Sequence, residues 1–247
     1  MSTIIAGLVT FAFTTLLTIA GVGAAFILIP VFLALGIELH TAMATALLLN
    51  AIAMSVASVN FVRKRLVVWQ VALPMAVVAS ALSPIGAWVS QGLDRAALLW
   101  LFVGFLVFAS LMMLLYTPRV REVTSGTGAL LGVGLGVGGL AGFVGGLLGV
   151  GGGNIIVPAL VAYGLDPKKA TASTSFVVIF SSLTGFLGQR ASTGMSYPLL
   201  GWTAAGAAAG AVLGSWLMTD KLKGRQVKIV IGVVLLGIAV KMAWGLV

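Results

Sequence analysis

The chain has 247 residues, 60% of them hydrophobic and 8% charged, with no cysteine, one histidine and a formal net charge of +9. Soluble domains carry about 25% charged residues, so a soluble globular fold is excluded, and the alternating polarity of a membrane β-barrel is absent. The absence of cysteine excludes disulfides and thiolate chemistry, and a lone His40 cannot build a metal cluster, so no metal and no cofactor are expected.

The N-terminus, Met1-Ser2-Thr3-Ile4-Ile5, has no basic region or cleavage site and reads as the start of a first membrane segment. Apolar segments follow at 4–19, 26–36, 42–62, 66–90, 96–116, 128–148, 154–164, 170–189, 197–218 and 226–246. A hydrocarbon core of about 30 Å needs about 20 helical residues, so the second and seventh are too short for ordinary crossings. Each follows a glycine loop. Each pairs with the segment before it, either as two short crossings or as a hairpin that dips in and returns.

The two loops are copies set 128 positions apart. Gly21-Val22-Gly23-Ala24-Ala25-Phe26-Ile27-Leu28-Ile29-Pro30 aligns with Gly149-Val150-Gly151-Gly152-Gly153-Asn154-Ile155-Ile156-Val157-Pro158. The match continues through Gly36/Gly164, Glu38/Asp166, Ala42/Ala170 and Ala44/Ala172, and returns at Gly86-Ala87-Trp88 against Gly214-Ser215-Trp216 and at Gly104/Gly232. The fold class expected is therefore an all-α polytopic membrane protein of two repeats, 1–118 and 127–247, with a polar linker at 119–126. Five segments per half is an odd number, so the halves run through the bilayer in opposite senses, as in many secondary transporters.

The basic residues support this count. If Arg63-Lys64-Arg65 is cytoplasmic, then Arg119, Arg121, Lys168, Lys169, Lys221, Lys223, Arg225 and Lys228 share its side. Only Arg95, Arg190 and Lys241 of the 14 fall opposite, and both termini are expected outside. Charge placed in short loops in this way is a topology signal, so the lipid bilayer and not nucleic acid is the partner it implies.

Gly134-Leu135-Gly136-Val137-Gly138-Gly139 fits a dinucleotide fingerprint, but no strand precedes it and it lies inside an apolar helix. Gly134, Gly138 and Gly142, like Gly206, Gly210 and Gly214, instead form ladders that let a neighbouring helix approach closely. The loops are different. Glycines cost about 1 kcal/mol each in a helix interior, so Gly149 to Gly153 interrupt the helix. They precede a short helix starting near Asn154, whose free N–H groups and dipole favour an anion. The two loops are expected to meet inside the membrane from opposite faces. Hydroxyls and amides crowd the next segment: Thr171, Ser173, Thr174, Ser175, Ser181, Ser182, Thr184 and Gln189. The first half has Thr41, Thr45, Asn50, Ser55, Ser58 and Asn60 in its counterpart. Candidate substrate-binding residues are Gly149, Gly151, Gly152, Gly153, Asn154, Ser173, Thr174 and Ser175, with Gly21, Gly23 and Thr45 from the weaker copy. Glu38 and Asp166, the latter followed by Pro167, read as helix caps. No charged side chain lies mid-segment, which argues against a cation site.

Gly149-Val150-Gly151-Gly152-Gly153 with Pro158, followed by Ala170-Thr171-Ala172-Ser173-Thr174-Ser175-Phe176, resembles the TauE/SafE sulfite exporter family over essentially the whole chain. The resemblance implies a transporter of small sulfur-containing anions, such as sulfite, thiosulfate or a small organosulfonate, in a prokaryotic plasma membrane. It points to Gly149 to Asn154 and to Ser173 to Ser175. The first half departs from the pattern, with Ala24 and Ala25 in place of glycines and Ala46 and Leu47 opposite Thr174 and Ser175. The reading is a secondary transporter working by alternating access, with a channel-like carrier as its nearest variant and a non-transporting membrane scaffold as a rival. An intramembrane enzyme is disfavoured, because no nucleophile and base, carboxylate pair or metal motif lies in the segments. A homo-oligomer is compatible with this organisation.

Overall fold

The computed structural model of the protein describes residues 2–21, 23–115, 127–189 and 197–222, with isolated positions between 226 and 244. Among the described residues there are nine α-helices and no strand: α1 (Ser2–Ala20), α2 (Ala25–Ala34), α3 (Leu39–Arg63), α4 (Trp69–Ser90), α5 (Arg95–Leu115), α6 (Thr127–Leu147), α7 (Gly153–Ala162), α8 (Pro167–Gly188) and α9 (Tyr197–Trp216). A π-helical turn, Leu217–Lys221, extends α9. The linker expected at 119–126 lies outside the described residues, as do Arg190, Lys223, Arg225, Lys228 and Lys241 of the charge argument. Helices α3, α4 and α8 are each long and apolar enough to cross a membrane. An all-helical outcome is the physical expectation, because only a helix satisfies its own backbone in lipid.

Helix limits follow from local chemistry. Glu38 caps α3 by accepting the N–H groups of His40 and Thr41 at 3.0 and 2.9 Å. Asp166 caps α8 through the N–H groups of Lys168 and Lys169 at 2.9 and 3.3 Å, with Pro167 at the first helical position. The acids expected to be caps are caps. Burial alone would raise the pKa of Glu38, but the hydrogen bonds from His40 and Thr41 outweigh it and hold the carboxyl at about 2. The short helices α2 and α7 both end on a left-handed glycine, Gly36 and Gly164, whose N–H groups return to Leu33 and Val161 carbonyls at 3.0 Å.

Packing is reciprocal between the halves. With the 128-residue offset, α1 corresponds to α6 and α4 to α9. Helix α1 packs along α9, and α4 packs along α6, each across the halves. Helices α3 and α8 cross at the centre, with α2 against α3 and α7 against α8. The glycine ladders make the two outer seams. A side chain on Gly138 would come within 3.0 Å of the Met75 Cα, and one on Gly142 within 2.5 Å of the Ala79 Cα. On the other seam a side chain at Gly210 would lie 2.6 Å from the Phe11 carbonyl oxygen. The ladders therefore pack backbone on backbone, as the sequence suggested.

Side-chain ties show which loops share an end. Lys64 pairs with Asp220 at 2.9 Å, and Lys168 Nζ donates to the Thr219 carbonyl at 2.8 Å. The hydrogen bond from Lys64 holds the Asp220 carboxyl below its ordinary pKa. These contacts gather Arg63 to Arg65, Lys168, Lys169 and Lys221 at one end. At the other, His40 Nε2 meets the Ser90 carbonyl at 3.3 Å, and Gln91 donates to the Gly188 carbonyl at 3.0 Å.

Candidate functional site

The glycine loops lie deep between these two ends. A side chain on Gly21 would strike Thr171, one turn into α8, and one on Gly149 would strike Met43, one turn into α3. Thr171 and Met43 are themselves 128 residues apart, so the contacts are exchanged copies. From there α2 runs back to Glu38 and α7 to Asp166. Each ten-residue helix rises about 15 Å, half of a hydrocarbon core, so each short helix leads from its glycine loop back to one end of the bundle.

The loops converge on one side chain. A Cβ on Gly23 would sit 2.6 Å from Asn50 Cγ, and a Cβ on Gly151 would sit 2.7 Å from Asn50 Nδ2. The Asn50 amide on α3 is thus held between the loops of both halves. Its Nδ2 donates to Ser182 Oγ on α8 at 2.9 Å, while its Oδ1 has no partner among the described residues. Ser181 donates to the Gly151 carbonyl at 2.9 Å and fixes the second loop from the same helix. All three side chains are fully buried.

The second loop divides its N–H groups between two tasks. Those of Val150 and Gly151 bond the Gly145 carbonyl at 2.8 and 3.2 Å, and that of Gly149 bonds the Gly146 carbonyl at 3.3 Å. A helix end leaves carbonyls that need donors, and here the loop supplies them for α6. Gly149 and Gly151 therefore shape the turn rather than offer their N–H groups to a ligand. Gly152 caps α7 in the left-handed region, at φ 78°. The N–H groups of Gly152, Gly153 and Asn154 form no hydrogen bond to any described residue.

Asn154, at the second position of α7, adds the side chain. It is 2% exposed, and neither its carboxamide oxygen nor its nitrogen has a partner among the described residues. A buried amide unpaired at both ends is destabilising, by about 1–3 kcal/mol for each unmet group, unless something else meets it. Thr174 is the other unpaired candidate, fully buried on the face of α8 that carries Thr171, Val178, Ser181 and Ser182. Its neighbours are occupied. Ser173 Oγ accepts the N–H of Val68 at the start of α4 at 2.9 Å, and Ser175 bonds back to the Thr171 carbonyl at 2.9 Å. Thr45 likewise bonds back to the Thr41 carbonyl at 2.8 Å. Of the residues singled out from sequence, Gly152, Gly153, Asn154 and Thr174 keep free donors, and Gly21, Gly23, Gly149 and Gly151 build the walls. Asn50 and Ser182, unremarkable among many polar residues in sequence, form the centre. Asparagine in the middle of an apolar helix was the available signal.

The family model described as "Sulfite exporter TauE/SafE" matches residues 5–242. The chain belongs to the TauE/SafE family. A probable membrane transporter protein, YunE of Bacillus subtilis, is 46% identical over 54 residues, 22% of this chain and 20% of that protein. Sulfite exporter TauE/SafE family proteins 1 and 6 of Arabidopsis thaliana are 43% and 44% identical over 70 and 62 residues, 28% and 25% of this chain. The aligned stretches span only 14% and 13% of those plant proteins. No solved structure matches the chain. The described residues of this TauE/SafE member form an all-helical body.

Proposed function

We propose that this TauE/SafE member is a secondary transporter for a small oxyanion, with a sulfur oxyanion such as sulfite as the preferred cargo. The observation that carries the reading is Asn154: a buried, doubly unpaired carboxamide at a helix start with three free N–H groups. Helix N-termini attract anions without a full positive charge, which suits a site inside a membrane. Asn154, the N–H groups of Gly152 and Gly153, Asn50 and Thr174 would hold the anion between the halves. Full burial of Asn50, Ser182 and Thr174 supports a carrier that occludes its cargo over an open channel. The relatives named as sulfite exporters support the sulfur anion.

On this reading the halves insert in opposite senses into a plasma membrane, the end bearing Arg63 to Arg65 lies in the cytoplasm, and both termini lie outside. Alternating access follows from one half moving against the other about the Asn50 contact. The test is flux in liposomes reconstituted with the full chain, using sulfite, thiosulfate and a small organosulfonate, with sodium, potassium and a neutral solute as controls. Saturable anion flux lost in Asn154→Leu is the expected result. Cation flux without anion flux overturns the proposal.

A further inference from the structure

The residues of α1 that correspond to Gly138, Gly142 and Gly146 of α6 are Thr10, Thr14 and Thr18. Both seams hold a glycine ladder, but that of α9 faces hydroxyls on α1 whereas that of α6 faces Met75 and Ala79 on α4. All three threonines are fully buried, and none of their hydroxyls has a hydrogen-bond partner among the described residues. Thr15 beside them does bond, to the Phe11 carbonyl at 2.8 Å. A spacing of four residues stacks the three about 6 Å apart on one face. That face meets α9: a side chain on Gly210 would lie 3.0 Å from Thr14 Cβ, and one on Gly214 2.9 Å from Thr18 Cβ. The row leads into the first loop, where the Gly21 N–H bonds the Thr18 carbonyl at 3.0 Å and Gly23 stands against Asn50.

Three aligned hydroxyls without partners destabilise a dry seam, and a polar lining is what allows water to occupy a gap. The α4–α6 seam has no such group among the described residues. There the Met75 side chain faces Gly138, and the Ser83 hydroxyl of α4 turns away to donate to the Ser181 carbonyl of α8 at 2.7 Å, while Ser80 donates to the Ala76 carbonyl at 2.5 Å. We propose that the α1–α9 seam is the one that hydrates and parts, with Thr10, Thr14 and Thr18 lining a path for water and anion to the Asn50–Asn154 site. The α4–α6 seam stays shut. The path's purpose rests on the transporter reading above, but its existence is tested without flux.

The chain has no cysteine, so a single introduced thiol reports without background. Thr14→Cys and Met75→Cys, in the reconstituted full chain, are exposed to a small anionic methanethiosulfonate. Thr14→Cys is expected to react about tenfold or more faster, since only its seam gains by hydration. In parallel, Thr14→Val should raise the melting temperature and slow sulfite uptake, whereas Thr14→Ser, which keeps the hydroxyl, should leave both near those of the parent. Equal labelling at the two positions overturns the assignment of the mobile seam, even where sulfite is carried. Fast labelling at position 14 in a protein that carries no anion upholds the seam and sinks the transporter reading.

Discussion

Gly21 and Gly149 have φ of 68° and 71°, and Gly23 and Gly151 have φ of 82° and 78°, so two loops 128 residues apart turn the chain alike. They part at the next position. Ala24 starts α2 from the right-handed region at φ −77°, while Gly152 starts α7 from the left-handed region at φ 78°. The sequences then diverge in chemistry, Ala25-Phe26 against Gly153-Asn154. The outer seams differ in the opposite direction, with hydroxyls on α1 and glycines on α6. A repeated frame thus supplies two equivalent glycine loops with short helices, while the unpaired polar groups are distributed unequally between them. On the proposed function, the anion belongs to the α7 side and access to the α1 side.

The sharpest way to break this comparison is to exchange the residues where the loops diverge. Gly152→Ala forces a side chain into the left-handed region and against the Ala141 carbonyl. Strain of about 1–2 kcal/mol joined to overpacking of about 1–3 kcal/mol should destabilise the protein severely. Ala24→Gly should cost no more than about 1 kcal/mol, the loss of backbone restriction. Thermal unfolding in detergent reads both. Equal losses would mean that the loops are interchangeable. Next in size is Asn154→Leu, which keeps the branched shape and removes an amide that no described residue pairs. Uptake should fall about tenfold or more, the scale of one to three kcal/mol for an unmet buried group, with melting held or raised. Retained uptake would detach α7 from the site.

The hydroxyls of α8 sharpen the comparison further, because they separate structural from ligand-facing roles within one turn. Ser173→Ala leaves the Val68 N–H without its partner and should lower stability by about 1–3 kcal/mol. Thr174→Val should weaken uptake by about 0.5–2 kcal/mol, the scale of a membrane hydrogen bond, with stability held or raised. Ser175→Ala, which loses only a bond to its own helix, should change neither measurement by more than about 0.5 kcal/mol. Loss of uptake in Ser175→Ala with Thr174→Val silent would reverse the assignment.

Much of the frame was legible. A long apolar run in lipid has one solution, so the segment at 4–19 became Ser2–Ala20 and that at 170–189 became Pro167–Gly188. The repeat, the caps Glu38 and Asp166, and the ladders could be read because each depends on residue type at fixed local spacing. The division of labour inside the second loop could not. Which N–H groups remain free depends on the carbonyls at the end of α6, and any of five consecutive donors could have closed that helix. The Asn50–Ser182 bond was hidden for another reason. It joins residues 132 apart, and the repeat maps Asn50 onto Val178 and Ser182 onto Met54, so the offset gives no hint of it.

A modest effect is expected at the caps, where the halves agree most. Glu38 and Asp166 occupy matching positions and each accepts two N–H groups, from His40 and Thr41 and from Lys168 and Lys169. Replacing either by alanine should cost about 0.5–2 kcal/mol, with both exposed carboxylates toward the lower end. Their equivalence can be sharpened by acid. The folded carboxyl of Glu38 titrates at about 2 against an ordinary 4.5. A lowered folded pKa means that the unfolded chain binds the proton first as pH falls. The capping contribution is then complete above about pH 4.5 and is lost as the pH falls through about 2. Glu38→Gln removes that titration, so the difference in melting temperature between parent and variant should shrink across this window and stay constant above it. A difference that persists unchanged down to pH 2 would show that the carboxylate charge is not what holds the start of α3.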